Sequence, residues 1–160
     1  MFIVSCKKNC KYFMFIVSCK KLKYKMAKLI PLKLLYATSF DDNHPPTNAA
    51  NQEDGTFWIT TGLFPQEISF SFANPCQIMR VTVVTGKVKN LKLFAASDSE
   101  CTEWVHIDDF SFQSAPIKQI DTHQINMRST SYGIKLSIEQ AWGPFSALYS
   151  LSVEGPIVHE

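Results

Sequence analysis

Residues 67–72 read Glu-Ile-Ser-Phe-Ser-Phe, an unbroken alternation of polar and apolar side chains. Successive side chains of a strand point to opposite faces, so this alternation puts Ile68, Phe70 and Phe72 on one face. The same period of two recurs over residues 132–139 and 147–153. Such a pattern is typical of β-strands that bury one face and expose the other to solvent.

Further strands are predicted around this stretch. Residues 79–84 are rich in β-branched side chains and indicate a central strand, and residues 91–95 and 104–107 complete the set. Gly, Pro or Asn separates these runs about every ten residues, and no helical period lasts beyond two turns. The sequence therefore predicts an all-β sandwich or jelly roll of about eight or nine antiparallel strands. For residues 111–130 the sequence allows two interpretations, a strand at 118–125 or a long connection.

The last strand is predicted over residues 147–153. Its alternation puts Tyr149 on the same face as Leu151 and Val153, so all three are predicted to be buried. Glu154 then points away from the core.

The first 25 residues differ from the rest of the chain. Residues 1–8 and 14–21 are identical copies of Met-Phe-Ile-Val-Ser-Cys-Lys-Lys, at an offset too short for a repeat fold. This stretch holds seven lysines and no acid, whereas the remaining 135 residues hold nine Lys or Arg against 14 Asp or Glu. We therefore divide the chain into residues 1–25, a Lys-rich duplicated extension expected to be disordered or mis-annotated, and a domain over 26–160. A lysine-rich interaction tail and a targeting peptide are the alternatives for the extension.

Composition excludes several classes of function. The apolar runs are far shorter than the roughly 20 residues that cross a bilayer, so no membrane insertion is expected. The domain has more acids than bases and no basic stripe, so no nucleic-acid partner is expected. It carries two cysteines, Cys76 and Cys101, and no N-glycosylation sequon, which favours a cytoplasmic location with reduced thiols.

The sequence also predicts that the chain is not an enzyme. Its four histidines show no metal-ligand spacing, and it contains no nucleophile elbow, phosphate-binding glycine loop or paired-carboxylate motif. A carbohydrate-binding β-sandwich module is the main alternative to a protein-interaction role. Trp104, Trp142 and Phe145 are candidate aromatic platforms for a sugar, although packing accounts for each of them more readily.

One polar stretch, residues 37–62, interrupts the strands and is dense in hard oxygen donors. These donors are Asp41, Asp42, Asn43, Asn48, Asn51, Glu53, Asp54 and Thr56. Calcium takes six to eight oxygen ligands of this kind. A polar surface loop built from Asx turns has the same composition, so both interpretations stay open.

The same stretch carries a specific resemblance. Its carriers are Ala37-Thr38-Ser39, His44-Pro45-Pro46, Asn48, Thr56-Phe57-Trp58, Thr60-Thr61-Gly62 and Phe64-Pro65-Gln66-Glu67, with Ser152-Val153-Glu154-Gly155 near the C-terminus. The pattern resembles the intraflagellar transport protein twenty-five family, also called heat shock protein beta-11, which has a galactose-binding-like, discoidin-type domain. The similarity covers residues 28–158 and is strongest over 37–67.

The resemblance implies a galactose-binding-like jelly roll that acts as a non-enzymatic subunit of the intraflagellar transport B complex. It implies a heterodimer with a Rab-like small GTPase, contact with other B-complex subunits, and support of ciliary or flagellar cargo transport. The implied location is the cilium or flagellum together with the cytoplasm.

A structural calcium is also implied, with ligands at Asn48, Asn51, Thr56 and Glu154. The chain departs from the family in the middle of the loop, where the usual Asp-Gly is Asn51-Gln52. A neutral amide in place of a carboxylate removes one charge from the site. Because ligand charge tunes calcium affinity, this departure predicts weaker binding.

Overall fold

A computed structural model describes residues 27–159 of the chain. The extension predicted over residues 1–25 lies outside this range, so the division into extension and domain stays a prediction. The described strands are β1 (Lys28–Leu29), β2 (Leu32–Ala37), β3 (Trp58–Ile59), β4 (Gln66–Cys76), β5 (Arg80–Gly86), β6 (Val88–Ala96), β7 (Trp104–Ser111), β8 (Gln119–Gln124), β9 (Ser131–Ala141) and β10 (Ala147–Gly155). One short helix, α1, spans Asn48–Asn51.

The strands form two antiparallel five-stranded sheets. The first sheet has the order β1-β10-β5-β8, with β3 also paired to β10, and the second has the order β2-β4-β9-β6-β7. From β3 to β6 and from β7 to β10, consecutive strands belong to different sheets, so the chain passes repeatedly from one sheet to the other. This confirms the predicted all-β jelly-roll sandwich, and the eight strands of six or more residues match the predicted strand number.

The core lies between the sheets and follows the period-two pattern. Ile68 and Phe70 of β4 are fully buried and pair in register with Leu136 and Ile134 of β9. Phe72 is only half-buried: the regular pairing of β4 with β9 breaks after Ser71, and Phe72 pairs with Leu32 of the edge strand β2. The alternation that opened the sequence therefore marks the inner face of the second sheet.

The last strand departs from its predicted alternation. The pairing of β10 with β5 shifts register between Leu148 and Ser150, and Leu148 is fully buried whereas Tyr149 is partly exposed. A bulge adds one residue to a strand and so changes which face the preceding side chains occupy. The prediction that Tyr149 packs in the core beside Leu151 and Val153 is therefore wrong for Tyr149, whereas Leu151 and Val153 are buried as predicted.

The segment left open at 111–130 holds a strand, β8, which pairs with β5 at the edge of the first sheet. His123 of β8 reaches the edge of the second sheet, where its Nδ1 lies 2.6 Å from Asp108 Oδ2 of β7. Its Nε2 lies 3.3 Å from Asp121 Oδ2, and its ring stacks on Phe110 at a centroid distance of 3.8 Å. This cluster links the two sheets along their open edge.

Candidate functional site

The residues that carry the family resemblance fix both ends of the long loop. The Trp58 indole Nε1 donates to the backbone carbonyl of Ser39 at 3.0 Å, and the Thr61 backbone N–H donates to Ser39 Oγ at 3.1 Å. The Thr38 and Ser39 hydroxyls both donate to Gln66 Oε1, the former at 2.8 Å. Because Ser39 and Gln66 are almost fully buried, these hydrogen bonds tie the loop to β4. The signature residues are thus structural supports of the loop.

Asp41 organises the start of the loop. Its Oδ1 accepts hydrogen bonds from the backbone N–H groups of Asn43 and His44, both at 3.0 Å, and lies 3.1 Å from His44 Nδ1. The side-chain hydrogen bond from His44 is the largest contribution that lowers the pKa of Asp41 below its ordinary value. The His44 ring stacks on Phe57 at 4.2 Å, so the first and last parts of the loop are in contact.

Two of the predicted calcium ligands belong to α1. The Asn48 amide Nδ2 donates a hydrogen bond to the carbonyl of Phe57 at 3.1 Å. Its Oδ1 takes no part in this bond and is the atom that could bind a cation. Asn51 ends the helix and is exposed. Gln52 follows at φ 53°, in the left-handed region that glycine adopts most readily, so a non-glycine residue occupies a strained backbone position here.

The third predicted ligand, Thr56, closes the loop. Its hydroxyl donates to the carbonyl of Glu53 at 3.0 Å, and its backbone N–H donates to the same carbonyl at 3.3 Å. The intervening Gly55 has φ 84°, which permits this tight turn. Glu53 and Asp54 are both exposed.

Glu154, the fourth predicted ligand, is bound by an arginine. Arg80 of β5 lies directly opposite Glu154 of β10, and its Nε donates to Glu154 Oε1 at 3.2 Å while Nη2 donates to Oε2. The hydrogen bond to Glu154 is the largest contribution that raises the pKa of Arg80. The carboxylate predicted to neutralise calcium therefore already carries a counter-ion.

A cleft of about 260 Å³ lies between the loop and the first sheet. Residues 52–56 form one wall, and Ser150 and Ser152 of β10 with Ile120 of β8 form the other. Of the four predicted ligands only Thr56 lines this cleft. Asn48, Asn51 and Glu154 do not line it, so this cleft does not bring the four predicted ligands together.

The four predicted ligands supply oxygen atoms, which calcium prefers, but together they carry only one negative charge. Asn48, Asn51 and Thr56 offer neutral oxygens, and Glu154 offers the sole carboxylate of the four. Within residues 27–159, no group of three His, Cys, Asp or Glu side chains is arranged to hold a metal ion. Any calcium at this loop would thus depend on amide, hydroxyl and carbonyl oxygens, and it would compete with Arg80 for Glu154.

Sequence reasoning missed Arg80 because the two partners are separated by 74 residues. The only available signal was that both residues follow the solvent-facing alternation of their strands. Which of the outward residues of β5 meets Glu154 depends on the register of β5 against β10, and that register is a property of the folded sheet.

Comparison with solved structures defines the class of domain. A family 32 carbohydrate-binding module of Clostridium perfringens, solved in complex with galactose, superposes with a TM-score of 0.70 at 16% identity, covering 81% of this chain and 99% of the module. This similarity, together with the two antiparallel sheets, shows that the chain has the galactose-binding-like jelly-roll fold. A scan against protein-family models finds none that matches the chain.

Sequence relatives give the family. The human protein named intraflagellar transport protein 25 homolog is 30% identical over 131 residues, covering 79% of this chain and 88% of the human protein. Intraflagellar transport protein 25 of Chlamydomonas reinhardtii is 25% identical over 123 residues, covering 76% of this chain and 64% of the algal protein. The chain belongs to the intraflagellar transport protein 25 family.

Proposed function

We propose that this chain is a non-enzymatic subunit of the intraflagellar transport B complex that acts in the cilium or flagellum and in the cytoplasm. The single observation that carries the proposal is the 30% identity to the human family member over 88% of that protein's length. The residues that carry the family resemblance have a structural role, because their hydrogen bonds anchor the long loop. None of the helices described for residues 27–159 is long and apolar enough to cross a membrane.

The proposed partner is a Rab-like small GTPase, bound by the outer face of the second sheet. Two partly exposed aromatic rings, Phe94 of β6 and Trp104 of β7, lie together on this face. The Lys135 ammonium lies 4.9 Å and 5.5 Å from their ring centroids and 3.4 Å from Glu67 Oε1. Aromatic side chains are enriched in protein interfaces, so the two rings support this face as the docking surface.

Co-purification tests this proposal. The full chain is tagged in the organism it comes from, and the proteins that travel with it are identified by mass spectrometry. We expect a Rab-like small GTPase and other transport subunits. Their absence from the wild-type preparation would overturn the proposed function.

A matched pair of variants tests the proposed face. Phe94→Asp puts a charge in the centre of the patch, and we expect recovery of the GTPase to fall at least tenfold. Phe40→Asp is the control, because Phe40 is exposed in the loop after β2 and belongs to no part of this patch. Undiminished recovery with Phe94→Asp would show that the partner binds another surface.

The proposal includes a weakly held structural calcium with Asn48, Asn51, Thr56 and Glu154 as its protein ligands. The ion would supply positive charge that holds the loop against β10. The support is the hard-oxygen character of the four side chains and the family resemblance of the loop. The competition with Arg80 makes the calcium proposal testable by titration.

Carbohydrate binding, the alternative function, has its support in the shared fold with the galactose-bound module. Each of the three candidate platform rings carries a lysine ammonium: Lys135 over Trp104, Lys89 over Trp142 and Lys87 over Phe145, at 5.5, 4.8 and 4.3 Å from the ring centroids. Sugar stacking on these faces would have to displace the lysines. Binding to a glycan array, with Trp142→Ala abolishing the signal, would favour the alternative function.

A further inference from the structure

Three lysines at one end of the sandwich each lie over an aromatic ring. The pairs are Lys87 with Phe145, Lys89 with Trp142 and Lys118 with Tyr149, at 4.3, 4.8 and 5.6 Å from ammonium to ring centroid. The segments that carry them are joined by backbone and side-chain hydrogen bonds. The Trp142 backbone N–H donates to the Lys87 carbonyl at 2.8 Å, and its indole Nε1 donates to the Phe112 carbonyl at 3.1 Å. Cation–π attraction favours the position of each ammonium group over its ring.

An apolar cleft of about 170 Å³ opens between two of these lysines. Phe57, Ile59 and Ala147 belong to its apolar lining, and Ile117 and Phe145, which are 72% and 40% exposed, lie at its rim. Its volume is comparable to the roughly 150 Å³ cavity that accommodates a benzene ring. The cleft is therefore of a size for one apolar side chain.

The charge around this cleft is opposite to that of the domain as a whole. Lys87 and Lys89 have no carboxylate within 4 Å among residues 27–159, and Lys118 has only the exposed Asp54, at 3.9 Å. No acidic side chain lines the cleft. Residues 26–160 hold nine basic against 14 acidic side chains, so three lysines with a single exposed carboxylate beside them favour a negatively charged partner at this cleft.

We propose that this lysine–aromatic cleft docks an acidic peptide segment of a partner protein, with one apolar or aromatic side chain in the cleft and carboxylates against Lys87 and Lys118. A concave apolar pocket with cations on two sides fits a single side chain flanked by acids. An anionic membrane surface is the competing occupant, but it offers no single side chain to fill a pocket. The site is separate from the GTPase-binding face proposed above and does not depend on it.

A titration followed by NMR tests the proposal with the full chain labelled with ¹⁵N. The probe is a short peptide with one Phe between two runs of Asp and Glu, and the control peptide carries Lys in place of every acid. We expect the acidic peptide to shift backbone resonances of residues 57–59, 86–89, 115–118 and 145–149 and to bind more weakly as salt is added, whereas the control peptide does not bind. Absence of these shifts at millimolar peptide would overturn the proposal.

Variants separate binding from a purely structural role of the lysines. The double variant Lys87→Met, Lys118→Met keeps the apolar stems over the rings and removes the charges, and we expect its affinity for the peptide to fall at least tenfold. The matched control, Lys28→Met with Lys33→Met, removes two exposed lysines on β1 and β2, and its affinity should stay within twofold. Equal losses in both double variants would overturn the proposal, because attraction would then depend on total charge alone.

The competing occupant is tested in the same series. Vesicles of phosphatidylserine and phosphatidylcholine are mixed with the wild-type chain and sedimented. Binding to vesicles without binding to the acidic peptide would replace the proposed peptide by a membrane surface. Either result leaves the co-purification test of the GTPase unaffected, so the two proposals fail separately.

Discussion

Arg80 and Glu154 lie opposite each other on β5 and β10, and the guanidinium donates to both oxygens of the carboxylate. Glu154 is the one carboxylate among the four predicted calcium ligands, and Arg80 binds it. An arginine here gives the outer surface of the sheet the positive charge that a bound cation would otherwise supply. Competition between Arg80 and calcium for Glu154 is the direct consequence.

Removing the arginine should strengthen calcium binding. In Arg80→Gln the Glu154 carboxylate is free to bind a cation, so we expect calcium affinity to rise at least threefold over the wild-type chain. Glu154→Gln removes the charge itself and should abolish binding. Isothermal titration calorimetry of chelator-treated protein measures both. If neither the wild-type chain nor Arg80→Gln releases heat at millimolar calcium, the calcium proposal is wrong.

The glycine of the C-terminal motif should be irreplaceable. A Cβ added at Gly155 would clash with the backbone carbonyl oxygen of Gln77, and the backbone cannot yield as a flexible side chain can. We expect Gly155→Ala to lower the free energy of unfolding by about 3 kcal/mol, the upper end of typical overpacking costs. Gly143→Ala is the control, since its Cβ would meet nothing closer than 3.8 Å. Urea denaturation compares the two, and equal stabilities would contradict the close approach.

Gln66 should stabilise the domain through its hydrogen bonds rather than through its bulk. Gln66→Leu keeps much of the volume but leaves the Ser39 hydroxyl and the Leu63 carbonyl without their partner. We expect a loss of about 3 kcal/mol in the free energy of unfolding, from the lost hydrogen bonds and from the buried Ser39 hydroxyl left without its acceptor. Gln113→Leu, at an exposed position, should change it by no more than about 0.5 kcal/mol. If Gln66→Leu lowers the free energy of unfolding no more than Gln113→Leu does, the hydrogen bonds of Gln66 do not stabilise the domain.

Burial of a thiol should make stability fall at high pH. Burial raises the pKa of Cys76 from 9.0 to about 12, so above pH 9 the unfolded chain loses a proton that the folded chain keeps. The contribution is complete below pH 9 and is lost as the pH rises towards 12. Between pH 9.5 and 10.5 we expect the wild-type chain to lose about 1 kcal/mol more than Cys76→Ala.

Guanidinium denaturation of both proteins at each pH measures this difference. Other groups titrate in the same range, so the comparison with Cys76→Ala isolates the single thiol. Parallel curves for the two proteins would show that Cys76 ionises alike in the folded and unfolded states.

The sequence alone predicted the parts of this protein that depend on local pattern. The alternation around Ile68 and Phe70 predicted the strands and the sandwich, because side chains of a strand alternate whatever its partner. The motif from Thr38 to Gln66 predicted the family, and the structure explains it as the network that anchors the loop.

The tertiary structure decided which distant residues meet. The bulge after Leu148 turned Tyr149 outward, and nothing in a period of two indicates where an extra residue is inserted. The register of β5 against β10 brought Arg80 to Glu154, and the packing of the two sheets brought Lys118 to the end of the sandwich where Lys87 and Lys89 lie. These contacts join residues far apart in the chain, and they form only when the two sheets pack on a common core, so no local pattern encodes them.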